Sequence, residues 1–261
     1  MRSQLLLGGV LLMSAQAFGL TIIPNYVDNV AGSWNATEQG VIAQAVTDWQ
    51  SAITTNVTIN VNLDFANAGT GGYLGQWSGG SSYYSGDDIY PWQNSTHTIH
   101  FNADLASGAN YLWFDPTPNN ASDQPFAAWD ALSVARHELG HMLGFVPNFY
   151  KENIGSGPSE VNLWDRFITV NGSEAVFDQR QGGLNVSLAS SSNLGHLLNL
   201  NGPQGDLMSP ALYNGVRLPI SGTDLAMLSK AYNYTLVPEP GIIGFAMTTA
   251  VLTLCRRKRS K

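Results

Sequence analysis

The sequence predicts an α+β fold: a mixed twisted sheet with helices packed on it, and a smaller C-terminal subdomain. Three observations carry this. Residues 55–65 and 95–102 alternate apolar with polar side chains, the period of a half-buried strand. Apolar residues in 35–54 and 130–143 recur instead at the spacing of an amphipathic helix. Stretches rich in Gly, Pro, Asn and Ser separate these segments, as loops do.

In chain order, Arg2, the apolar run Leu5 to Met13 and the small-residue site Ala15-Gln16-Ala17 read as a secretory signal peptide over residues 1–17. Thr21 to Val30 has the β-branched and apolar content of a first strand. Ser33 or Asn35 can cap a helix running to about Thr54, with Val41, Ile42, Ala45, Val46, Trp49 and Ile53 as the stripe that packs on the sheet. Val57, Ile59, Val61, Leu63 and Phe65 define the buried face of the next strand. Residues 69–86 hold seven glycines and read as a loop with short edge pieces. The strand Ser95 to Asn102 carries His97 and His100, three apart and therefore on opposite faces, in structural or surface roles.

Residues 115–128 read as a loop, and a second helix starts near Trp129 or Asp130 with Leu132, Ala135, Leu139 and Met142 facing the core. Pro147 ends it. Glu160 to Val170 suits a short helix or strand, and residues 221–234 a last helix capped by Ser221 or Thr223.

Composition narrows the function. Only 12% of residues are charged, which leaves a surface of Asn, Ser, Thr, Gly and Gln and suits an exported protein. Between Phe18 and Val237 six Lys or Arg face eighteen Asp or Glu, a net charge near -12 that argues against nucleic acid or anionic lipid as partner. The single cysteine, Cys255, lies near the C-terminus, so the domain before it holds no disulfide.

The second helix carries HELGHMLGF, His137 to Phe145. His137 and His141 stand one turn apart on one face, so both imidazoles reach the same cation. Zn²⁺ is well served by neutral imidazole nitrogens, and a catalytic zinc keeps three protein ligands and one position for water. Glu138 then acts as base rather than ligand, taking the water's proton and passing it to a leaving amine. Gly144 falls where the helix must stop and the chain turn beneath the metal. For the third ligand, His196 is the sole downstream histidine, Glu160 competes with it, and Asp165 and Asp206 are weaker candidates.

HELGHMLGF, His196 within SNLGHLLNLNGPQGDLMSP and Leu207-Met208-Ser209-Pro210 about a dozen residues later together resemble the metzincin zinc proteases of the leishmanolysin type. The resemblance implies a metzincin-like fold with an active-site helix, Zn²⁺ held by His137, His141 and His196, Glu138 as general base, and Met208 as a Met-turn residue beneath the imidazoles. The chain departs from the common metzincin pattern at Pro147, where most members place the third ligand, and at Pro210, where some carry a metal-binding tyrosine. It is also shorter and lacks disulfides. A gluzincin arrangement would use Glu160 instead.

At the C-terminus, Val237-Pro238-Glu239-Pro240-Gly241 precedes an apolar run from Ile242 to Cys255 and then RRKRSK. The fourteen residues of this run make roughly 21 Å of helix against a hydrocarbon core of roughly 30 Å. The ending resembles the bacterial PEP-CTERM sorting signal. It implies a transient membrane anchor over residues 237–261, recognition by an exosortase-type enzyme, and passage from the inner membrane to the cell surface or outside.

The expected protein is thus a monomeric, exported zinc endopeptidase, its catalytic domain spanning 18–236 and acting on peptides or proteins. A peptide would add to an edge strand, placed at Ile99 to Asn102. The competing expectation is a surface or biofilm-matrix protein whose metal site is structural or vestigial.

Overall fold

A computed structural model describes residues 19–69, 72–79, 96–105, 111–146, 163–177, 184–190, 193–198 and 205–238. The signal peptide, the apolar and basic parts of the tail, Cys255, Pro147 and Glu160 lie outside them.

Strand β1 (Leu20–Tyr26) leads through a short turn to helix α1 (Ala36–Ala52). Of the two expected caps, Asn35 serves. Its side chain accepts from the N–H of Thr37 and Glu38, and Glu38 accepts in return from Asn35 N–H at 2.8 Å, forming a capping box. The predicted stripe, from Val41 to Trp49, is buried. Helix α1 ends where Ile53 turns to extended backbone.

Strands β2 (Val57–Ala66), β3 (Gly75–Gly79) and β4 (His97–Asn102) complete a mixed sheet of order β1-β2-β4-β3. The first three strands in that order run parallel, and β3 is antiparallel to β4. Ile59, Val61, Leu63, Ile99 and Phe101 project inward to the core, where Trp34, Phe65, Phe101 and Phe114 pack ring on ring. One expectation is corrected here. Ile99 to Asn102 belong to β4, which is paired on both sides; the sheet edges are β1 and β3, and β3 is one of the short edge pieces expected in the Gly-rich stretch.

A two-stranded pair, β5 (Leu112–Trp113) with β6 (Trp129–Asp130), leads into α2 (Ala131–Leu143), the helix of the HELGH motif. Asp130 caps α2 by accepting from Ser133 N–H at 2.9 Å and its hydroxyl at 2.7 Å. Arg217 reaches both Asp130 and Asp115, and this buried ion triad ties the helix start to the chain that follows the Met208 segment. At the other end Gly144 has φ 140°, open only to glycine, and a Cβ there would meet the Tyr232 ring at 2.1 Å. The orphan carbonyls of Leu143 and Gly144 accept from the hydroxyls of Tyr234 and Tyr232, both at 2.9 Å.

A 3-10 turn, Asp165–Phe167, then opens a second, antiparallel sheet: β7 (Ile168–Asn171), β8 (Glu174–Phe177), β9 (Val186–Ser190) and β10 (Asn193–Leu197), in the order β10-β9-β8-β7. Only the first of these strands falls within a segment the sequence marked. Helix α3 (Gly222–Tyr232) starts at Ser221, again with a capping box, here closed by Asp224. Among the described residues no helix is long and apolar enough to cross a membrane.

Candidate metal centre

Helix α2 presents His137 and His141 on one face, and β10 brings His196 to them from 55 residues away. The three Nε2 atoms lie 3.1 Å (His137 to His141), 3.2 Å (His141 to His196) and 3.2 Å (His137 to His196) apart. Among the described residues these histidines form the one group of three able to hold a metal ion. Asp165 and Asp206 do not belong to it.

The other ring nitrogens settle the tautomers. His137 Nδ1 faces the Leu207 carbonyl at 2.8 Å, His141 Nδ1 the Phe145 carbonyl at 2.7 Å, and His196 Nδ1 the Asn193 side-chain oxygen at 2.5 Å. Each partner accepts only, so each Nδ1 carries the hydrogen and each neutral ring turns an Nε2 lone pair inward. Three such lone pairs cannot hydrogen-bond one another. Burial keeps the rings neutral: His196 is pushed down to about 3, His137 is lowered, and His141, further repelled by its two neighbours, is held well below the ordinary value.

Asn193 is a participant the sequence reading missed. In a regular strand, residues three apart point to opposite faces, as His97 and His100 do on β4. The register of β10 on β9 shifts between Asn193 and Leu197, and this irregularity brings Asn193 and His196 to the same side. No pattern in the local sequence announces it.

Met208 is fully buried beneath α2. A Cβ on Gly140 would come within 2.6 Å of its sulfur, so glycine is what lets the helix sit on it. Leu197 N–H donates to the Met208 carbonyl at 2.8 Å, joining β10 to this turn. Asp206 holds the turn from the other side, accepting from Met208 N–H at 3.3 Å and from the Ser221 hydroxyl at 2.7 Å.

Glu138 points to the edge strand. Its Oε2 accepts from Trp77 N–H at 2.7 Å, and Gly75 lets β3 approach, since a Cβ there would meet Val134 at 2.6 Å and Glu138 Cγ at 3.0 Å. Burial raises the Glu138 carboxyl to about 7, although the Trp77 bond works against the rise. The group is therefore poised between acid and base near neutrality.

Around these groups lies a cleft of about 660 Å³, walled by Leu74 and by Gly75 and Trp77 of the edge strand, by Trp129 and Val134, and by Ser209 to Leu212 after the Met208 turn. His97 is inward and buried; its Nδ1 accepts from the Trp77 indole at 3.3 Å, and desolvation lowers it to about 4. His100 faces the other side of the sheet.

A scan against models of protein families finds no match to this chain, and a search among curated proteins likewise finds none. The functional reading therefore stands on the site's own geometry.

Proposed function

We propose that this protein is an exported zinc-dependent endopeptidase of metzincin-like fold, with His137, His141 and His196 as the metal ligands and Glu138 as the general base. The observation that carries the proposal is the set of three Nε2 lone pairs converging at 3.1–3.2 Å. Tetrahedral zinc with nitrogens at about 2.0–2.1 Å would separate its ligands by about 3.3–3.4 Å, close to that spacing. A triad of neutral imidazoles with every Nδ1 hydrogen already donated suits a borderline cation.

When bound, zinc supplies Lewis acidity that makes water a nucleophile near neutral pH and polarises a carbonyl. The chain supplies the rest. Glu138 Oε2 is anchored by Trp77 N–H, which leaves Oε1 to take the proton of the attacking water and deliver it to the departing amine nitrogen. No described strand lies on the outer side of β3, so this edge is where an extended peptide would add along the cleft, and the apolar lining favours uncharged side chains beside the scissile bond. Three histidines without a fourth protein ligand among the described residues favour this over a closed structural site. Export, transient anchoring and handling by an exosortase-type enzyme rest on the two chain ends, and the acidic domain is expected to ignore nucleic acid.

Casein cleavage by the purified protein tests the proposal. Cleavage should stop with chelator and return with zinc. Glu138→Gln should keep zinc while its rate falls by about 10²–10⁴. A Glu138→Gln protein that cuts casein at the parent rate contradicts the assignment.

A further inference from the structure

The face of the first sheet turned away from α1 and α2 carries a second chemical constellation. Asp64 on β2, His100 on β4 and Ser78 on β3 form one hydrogen-bonded row: His100 Nδ1 lies 2.5 Å from Asp64 Oδ1, and Ser78 Oγ lies 3.2 Å from His100 Nε2. Sheet register explains the meeting. Asp64 stands directly opposite His100, and Ser78, opposite Thr98, is the diagonal neighbour on the other side.

The chemistry of the partners fixes the direction of both bonds. A carboxylate only accepts, so Nδ1 of the neutral ring carries the hydrogen and Nε2 offers a lone pair. The Ser78 hydroxyl must then donate to Nε2. Base on hydroxyl, with a carboxylate holding the base, is the arrangement that activates a serine nucleophile. His100 and Asp64 are only 27% and 20% exposed, so the pair is held in place, while Ser78 itself faces solvent. On the edge strand Trp77 N–H points away from β4, and by strand alternation so does the N–H of Gly79, the residue after Ser78.

We propose that Ser78 is a nucleophile activated by His100 and Asp64, and that this row hydrolyses small activated carboxylic esters independently of the metal centre. None of the three residues lines the metal cleft and Ser78 is exposed, so the row selects by leaving-group reactivity rather than by side-chain fit. Ser78 Oγ bonds to the acyl carbon as its proton passes to His100 Nε2, and the oxyanion is met by Gly79 N–H. The ester C–O bond then breaks, and the leaving alkoxide takes the proton from Nε2. Water attacks the acyl-serine, giving a proton to Nε2 that returns to Oγ, with release of the carboxylic acid. Ester and water become acid and alcohol, with no co-reactant.

The test is labelling of the full chain by a fluorophosphonate probe, with the modified residue mapped by peptide mass. Label is expected on Ser78, abolished in Ser78→Ala and His100→Ala, slowed at least about tenfold in Asp64→Asn, and unchanged by chelator. Labelling of Ser78 that persists undiminished in His100→Ala, or no labelling of Ser78 above that of other serines, overturns the proposal. Neither result bears on the zinc protease reading, because the metal ligands are untouched.

Discussion

Asn193 decides how firmly the third imidazole is aimed. Its side-chain oxygen holds His196 Nδ1–H, and a partner of this kind fixes both tautomer and ring orientation of a metal ligand. Asn193→Ala is expected to weaken zinc binding by about 10–100-fold, with Asn193→Asp near parental, measured by competition with a chromophoric chelator. The same assay reads the lowered histidines. A ligand whose folded value lies below the ordinary one stays neutral as the solution is acidified, so protons compete with metal only at lower pH. Three imidazoles titrating at the usual value near 6.5 would together cost about a thousandfold in affinity at pH 5.5. With His196 near 3, His137 lowered and His141 well below its usual value, the affinity should change less than about tenfold between pH 7 and 5.5, once the chelator's own titration is corrected for.

On the proposed reading, helix α2 and strand β3 set the distance between base and substrate edge, and glycines at 75 and 140 allow the close approaches of β3 to Glu138 and of α2 to Met208. Gly75→Ala should push β3 off Glu138, lowering kcat on peptides more than it raises KM while zinc stays bound. Gly140→Ala forces the helix against Met208 and should cost about 1–3 kcal/mol in thermal unfolding of the zinc-loaded protein. At this scale the sequence was uneven in what it disclosed. Helices α1, α2 and α3 and strands β2 and β4 were legible because long apolar periodicities and side-chain caps mark them. Strand β3 was legible only as an unplaced short edge piece within the Gly-rich stretch, since Gly75 to Gly79 carry no apolar alternation and its position depends on pairing with β4. Strands β8 to β10 are four or five residues long, pair antiparallel with one another, and are stabilised by a core that only the assembled chain supplies. His137, Glu138 and His141 were readable as a helical motif. His196 was named as the downstream histidine and by the resemblance; its meeting with them depends on a strand pairing no local pattern encodes.

The described residues form two four-stranded sheets and the short β5–β6 pair, with His196 of the second four-stranded sheet reaching the histidines of α2; on the proposed reading zinc adds to the stability of the core. Asp130, Arg217 and Asp115 join the start of α2 to the segment after Met208, while Tyr232 and Tyr234 hold its end, so both termini of this helix are fastened by the C-terminal part of the chain. Metal should therefore stabilise the fold as a unit. Zinc at a thousand times its Kd would contribute about 4 kcal/mol, visible as a drop in Tm when chelator is added. The central claim, that His196 completes a zinc site begun by the HELGH helix, is tested most directly by elemental analysis of the full chain and its His196→Ala variant after dialysis against trace zinc. One zinc per chain in the parent and almost none in the variant is the predicted result; a parent without zinc, or a variant that retains it in full, contradicts the account.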